Sequence, residues 1–207
     1  MAVRVKICGI TRVEDGVEAA RLGVDAIGLV FYPKSPRNVS IARAAAIIAA
    51  LPPFVSVVGL FVDATREWVD TVLAECALDV LQFHGDESPE FCASFHRPYL
   101  KAVRVQAGTD LAAMAKRYAG ARGLLTDAFV EGVHGGTGQT FDWSLLAEDL
   151  PLPLILSGGL DEHNIAAALR QVHPAAVDVS SGVESAKGIK DAARMAAFIS
   201  GARHGSL

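Results

Sequence analysis

One pattern constrains the fold of this chain more than any other: a β-type run followed by a helix-type stretch, eight times over. The runs are VRVKIC (3–8), DAIGLVF (25–31), FVSVVGLFV (54–62), DVLQFHG (79–85), YLKAVRV (99–105), GLLTDA (123–128), PLILSGG (153–159) and AVDVSSG (176–182). The helices between and after them are read over 12–22, 40–51, 65–76, 88–96, 109–119, 143–148, 161–171 and 189–200. Strand-then-helix alternation implies a parallel sheet, and runs rich in Val, Ile and Leu fit strands covered on both faces. Eight such units in 207 residues suggest a closed (β/α)₈ TIM barrel near the small end of its size range. An open doubly wound sheet is the alternative. No linker-like shift in composition divides the chain, so residues 1–207 are read as a single barrel domain.

Strand parity sharpens this reading. In the first run Val3, Val5 and Ile7 share one face, and Arg4, Lys6 and Cys8 share the other. The apolar set should face the helices, which turns Lys6 and Cys8 toward the barrel interior. A buried lysine needs a partner. Strand eight adjoins strand one in a closed barrel, and its Asp178 is the candidate. The alternative is that both charges are solvated near the rim.

Composition narrows the partners. Apolar residues make up 51%, charged residues 20%, and the net charge of −4 comes with Lys and Arg scattered singly. That is a core-forming composition without a basic stripe, which argues against nucleic acid or an anionic membrane as partner. The apolar stretch 44–62 is broken by Pro52-Pro53 and reads as a helix end, a turn and a buried strand instead of a membrane span. The start MAVRVKICGI lacks a secretory apolar segment, and a cytoplasmic location is expected. Cys8, Cys76 and Cys92 have no metal-like spacing, so neither a zinc site nor a disulfide scaffold is expected. Cys76 and Cys92 fall on helices and read as ordinary core or surface residues.

In a barrel of this kind the active face lies where strands end and helices begin. Cys8, Arg37, His84 and Asp127 all fall there. The glycine-rich turns SGGLD (157–161) and SSGVES (180–185) follow strands seven and eight. Backbone N–H groups at such turns bind phosphate, and glycine allows close approach. Gly158, Gly159, Ser180, Ser181 and Gly182 are therefore candidate phosphate-site residues. The loop FVEGVHGGTGQTFDW (129–143) is long for its place and holds four glycines, Gly136 and Gly138 among them. It does not match a nucleotide-binding P-loop, because no Gly-Lys-Ser/Thr follows, and it reads as a cover over bound substrate. Glu184 reads as a solvated charge at a helix start.

Seven segments in order, KICGIT, GLVFYPKSPRNVS, LQFHGDE, LLTDA, GGTGQTFDW, ILSGGL and DVSSGVE, resemble the phosphoribosylanthranilate isomerase family of tryptophan biosynthesis. The resemblance runs from Lys6 to the final helix. Phe83 departs from it, since leucine is common there. The resemblance implies an Amadori rearrangement of a phosphorylated aminosugar, without metal or cofactor. It implies Asp127 as general acid and Cys8 as general base. It also places Arg37 on the anthranilate carboxylate and Asp178 near the ribose hydroxyls, with His84 lining the pocket. The chemistry suits the residues: burial raises the pKa of a carboxyl, and a thiol near pKa ~8.5 needs only a modest downward shift to act as base. Rival readings are another phosphosugar enzyme on the same barrel, or a non-catalytic phosphoribosyl-binding barrel. An indole-glycerol-phosphate synthase calls for a catalytic lysine and paired glutamates. A histidine-pathway isomerase calls for two aspartates, one where Cys8 stands. Acceptance of that pathway's aminoaldose, and the oligomeric state, stay open.

Overall fold

The computed structural model describes residues 3–128, 142–146 and 149–204. Eight parallel strands close into a barrel in sequence order: β1 (Arg4–Cys8), β2 (Ala26–Val30), β3 (Ser56–Phe61), β4 (Val80–Phe83), β5 (Tyr99–Val105), β6 (Gly123–Ala128), β7 (Leu154–Leu156) and β8 (Ala176–Val179). The barrel closes through β1 and β8, where Lys6 stands opposite Asp178. The open-sheet alternative is thereby excluded.

Among the described residues seven α-helices surround the barrel: α1 (Val13–Arg21), α2 (Ile41–Ala50), α3 (Arg66–Glu75), α4 (Pro89–Ala93), α5 (Leu111–Arg117), α6 (Ile165–Val172) and α7 (Ala192–His204). Five starts are fixed by side chains of the preceding residue, as Ser40, Thr65, Ser88, Asp110 and Asp191 each accept a backbone N–H three residues on. The expected helix after β6 is a single 3₁₀ turn, Trp143–Leu145. The apolar stretch 44–62 does resolve into the end of α2, a turn and β3. No helix among the described residues is long and apolar enough to cross a membrane.

The last unit departs most from expectation. The sequence pattern places a helix from residue 189, but α7 starts at Ala192. Residues Glu184–Ala186 (β9) and Ile189–Lys190 (β10) instead form a small antiparallel hairpin. Gly188 turns the hairpin with φ +78°, a backbone that side chains rarely adopt. Helical propensity across "SAKGIKD" loses to this turn and to buried anchors on the hairpin.

The core has the two shells that alternation dictates. Val3, Val5 and Ile7 pack outward with Ile27, Leu29, Phe31 and the helices. Between strands and helices, Phe31 stacks on Phe61 at 5.4 Å between centroids, and Phe83 sits against Phe91, Phe95 and Tyr99. Phe83 thus points away from the barrel interior, into the shell between strands and helices. Inside the barrel, Ala102, Leu125 and Ile155 plug the space near the strand starts. Near the strand ends Cys8, Val30, Leu60 and Val62 form a second apolar patch, and polar side chains occupy the rest.

Candidate active site

One pocket opens at the C-terminal ends of the strands. Cys8, Arg37, His84, Asp127, Asp178 and both turns after β7 and β8 line it. Cys8 is the last residue of β1, with its thiol turned inward and 6% exposed. Its neighbour across the ladder is Gly28. A Cβ there would lie 2.7 Å from the Cys8 sulfur, so only glycine at this position leaves the thiol its place.

Two buried cations flank that thiol. Lys6 donates to Asp178 Oδ1 at 2.9 Å, as parity on β1 requires. Burial alone would lower the Lys6 pKa, but Asp178 and Cys8 outweigh it and hold the ammonium charged. Burial pushes the Cys8 thiol up from its ordinary value, while Lys6 and Lys190 pull the other way without overcoming it. The sequence led to an expected downward shift. The structure gives the reverse for the pocket as it stands, because apolar neighbours and burial outweigh the two ammonium groups.

Asp127 is the next-to-last residue of β6, on the opposite part of the wall, and is 5% exposed. His84 follows β4 and places its Nε2 3.2 Å from Asp127 Oδ2. Its Nδ1 lies 3.0 Å from Gln82 Nε2. The sequence motifs give His84 only a place in the pocket lining, and this chain of contacts adds to it.

Arg37 is buried. Its Nε and Nη2 each donate to Glu184 at 2.8 Å, a bidentate pair. Lys190 on β10 donates to the same carboxylate at 2.9 Å and to the Ser180 carbonyl at 3.0 Å. Glu184 is therefore no solvated charge at a helix start. It is 7% exposed and holds two cations, because the hairpin folds it back onto the barrel mouth. Burial would raise its pKa, but the hydrogen bonds and charges of Arg37 and Lys190 set it below the ordinary carboxylate range. Such a group stabilises the fold in full above its unfolded pKa of about 4.3 and loses that contribution as pH falls through its lower folded value. Glu184→Ala leaves two buried cations without their partner and is expected to cost about 3–5 kcal/mol in urea unfolding at neutral pH. The wild type should approach the variant's stability as the medium is acidified below the folded value.

The turns after β7 and β8 meet each other. Gly158 and Gly159 have φ of +87° and +65°, and both line the pocket with Ser180 and Ser181. Gly182 stands behind them, and any side chain there would overlap the Leu160 carbonyl oxygen. Its glycine thus serves the contact between turns. Gly136 and Gly138 of the long loop lie outside the described residues.

Known proteins share this architecture. The family model described as N-(5'phosphoribosyl)anthranilate (PRA) isomerase matches residues 5–201. The chain belongs to the phosphoribosylanthranilate isomerase family. It is 60% identical over 205 residues to the N-(5'-phosphoribosyl)anthranilate isomerase of Pseudomonas syringae pv. syringae, covering 99% of both chains. A crystal structure of phosphoribosyl anthranilate isomerase from Thermotoga maritima superposes with a TM-score of 0.88 at 42% identity, covering 97% of this chain and 98% of the other. Another phosphoribosyl anthranilate isomerase, in complex with reduced 1-(o-carboxyphenylamino)-1-deoxyribulose 5-phosphate, superposes with a TM-score of 0.86 at 41% identity over 97% and 98% of the chains. The chain is an isomerase of this family on the same closed barrel. Within it, the pocket brings together Cys8, Arg37, His84, Asp127, Asp178, Gly158, Gly159, Ser180 and Ser181. Sequence reasoning missed Lys190, Gln82 and the role of Glu184. Gln82 was open to discovery, since it lies two residues before His84 and must share its inward face.

Proposed function

We propose that this pocket converts N-(5′-phosphoribosyl)anthranilate to 1-(2-carboxyphenylamino)-1-deoxyribulose 5-phosphate by an Amadori rearrangement, a step of tryptophan biosynthesis, with Asp127 as general acid and Cys8 as general base. One observation carries the reading: Cys8, Asp127, Arg37 and two glycine turns all line a single pocket at the strand ends. Asp127 protonates the furanose ring oxygen O4′. The C1′–O4′ bond breaks with its electron pair on oxygen, and the nitrogen lone pair forms a C1′=N imminium. Cys8 as thiolate then takes the C2′ proton, and its electron pair fills the imminium to give an enolamine that tautomerises to the ketose. The imminium cation favours thiolate at Cys8, which opposes the effect of burial. The turns at Gly158–Gly159 and Ser180–Gly182 hold the phosphate through backbone N–H groups. Asp178, fixed by Lys6, faces the ribose hydroxyls.

The anthranilate carboxylate goes to Arg37. Its bonds to Glu184 use Nε and Nη2, so the fork is held rigid while a third nitrogen, Nη1, is available to the ligand. Arg37→Ala is expected to weaken a carboxylate-bearing ligand by about 1.5–3 kcal/mol. A ligand without the carboxylate should lose little. Equal losses for both ligands would move Arg37 out of the carboxylate site.

Gly159→Asp puts a carboxylate against the phosphate. Asp is among the residues that tolerate a left-handed backbone, so the fold should persist. KM is expected to rise by about tenfold or more, the loss of one charge-assisted contact. The reaction itself is tested by the decay of phosphoribosylanthranilate fluorescence on adding the pure protein. No decay above the spontaneous rate would remove the assignment and favour a barrel that binds phosphosugars without turning them over.

A further inference from the structure

The geometry points to Gln82 and His84 as positioning residues that orient Asp127 and support its carboxylate as the acidic proton leaves. The inference rests on Asp127 being the acid, and deepens that reading. Gln82 and His84 lie two residues apart along β4 and its end, so both turn into the barrel. Gln82 is 0% exposed and His84 7%. Heavy atoms run in a line from Gln82 Nε2 to His84 Nδ1 at 3.0 Å, and from His84 Nε2 to Asp127 Oδ2 at 3.2 Å.

Hydrogen-bond counting sets the direction. An amide –NH₂ only donates, so Nδ1 must accept. A neutral imidazole then carries its proton on Nε2, and that N–H donates to Asp127 Oδ2. Gln82 Oε1 is left buried without a partner among the described residues. Turning the amide over would place an unpaired –NH₂ where that oxygen lies. Buried unpaired N–H groups are rarer than under-satisfied oxygens, which favours the first arrangement.

With Oδ2 accepting from His84, that oxygen is engaged by a ring N–H whose direction is set from Gln82. In the ring-opening step the Asp127 carboxyl O–H bond breaks and its electron pair stays on Asp127. The proton goes to O4′, and the C1′–O4′ pair goes to the same oxygen. Negative charge then develops on the carboxylate, where the His84 N–H becomes a charge-assisted donor. An interaction that strengthens as charge develops acts on kcat more than on KM. Asp178, which interacts electrostatically with both Asp127 and His84 and is held by Lys6, is the nearby charged group on β8.

The test is a tautomer measurement beside kinetics. In protein carrying ¹⁵N-histidine, long-range ¹H–¹⁵N spectra should show His84 protonated at Nε2. Gln82→Met should mix the tautomers and lower kcat by about tenfold or more, the scale of losing a supporting hydrogen bond behind a reacting group. Affinity for the reduced product analogue should stay within about twofold. His84→Leu should lower kcat similarly. His84→Gln, whose side-chain N–H replaces the ring Nε2–H, should recover most of that loss, an outcome a merely structural role would not give. A wild-type His84 protonated at Nδ1, or a His84→Gln variant no better than His84→Leu, overturns the inference. A double variant separates it from the reading beneath: in Asp127→Asn, Gln82→Met should add nothing. A full further drop there refutes action through Asp127 while leaving Asp127 as the acid. Wild-type turnover of Asp127→Asn alone removes the acid assignment and this inference with it.

Discussion

Cys8→Ser is expected to lower kcat by at least about 10²-fold, the low end for loss of a general base. Serine keeps the shape, and the cavity opposite Gly28 accepts it. A hydroxyl, however, supplies no base at neutral pH. Binding of the reduced product analogue should change little, since the proposed contacts at Arg37 and the turns hold both ends of the ligand. The pH dependence adds a sharper test. Burial raises the Cys8 pKa in the free protein, so kcat/KM should still be rising on the alkaline side of an ordinary thiol, about 8.5. The imminium lies beside the sulfur only in the complex, so the rising limb of kcat should sit at lower pH than that of kcat/KM. Wild-type turnover by Cys8→Ser would mean that another inward-facing group takes the C2′ proton.

Asp127→Asn should be as damaging, by at least about 10²-fold in kcat. The amide has the carboxyl's shape but no acidic proton for O4′. The loss should fall on ring opening. A substrate analogue supplied already open would bypass that step, so its conversion should be far less affected by Asp127→Asn than by Cys8→Ser. Equal sensitivity to both substitutions would place Asp127 in the later proton abstraction instead.

The barrel is legible in the sequence because its signal is periodic. Eight alternations place eight strands, and two-residue parity places side chains inside or outside. That is why parity and closure alone suffice to match Lys6 with Asp178 across 172 residues. The motif positions likewise follow from strand ends. What escapes is set by long-range charge. Nothing near Glu184 in sequence shows that Arg37, 147 residues away, lies over it. The hairpin that carries Glu184 and Lys190 competes with a plausible helix start, and it forms through contacts such as Lys190 N–H to Asp15 at 3.1 Å. The raised pKa of Cys8 escapes for the same reason: it depends on how much apolar wall surrounds the sulfur, a property of closure and not of local sequence.

The β1–β8 closure also imposes a schedule. During synthesis at roughly 5–20 residues per second, Lys6 waits on the order of 10–35 s for Asp178 to be made. Arg37 waits similarly for Glu184, and Cys8 for the Lys190 charge beside it. Until then the nascent sheet has an unpaired edge, and these cations lack their carboxylate partners. Catalysis should therefore appear all at once, after the final strand joins the first. In a refolding experiment, recovered turnover would report barrel closure itself, lagging the earlier gain of helix.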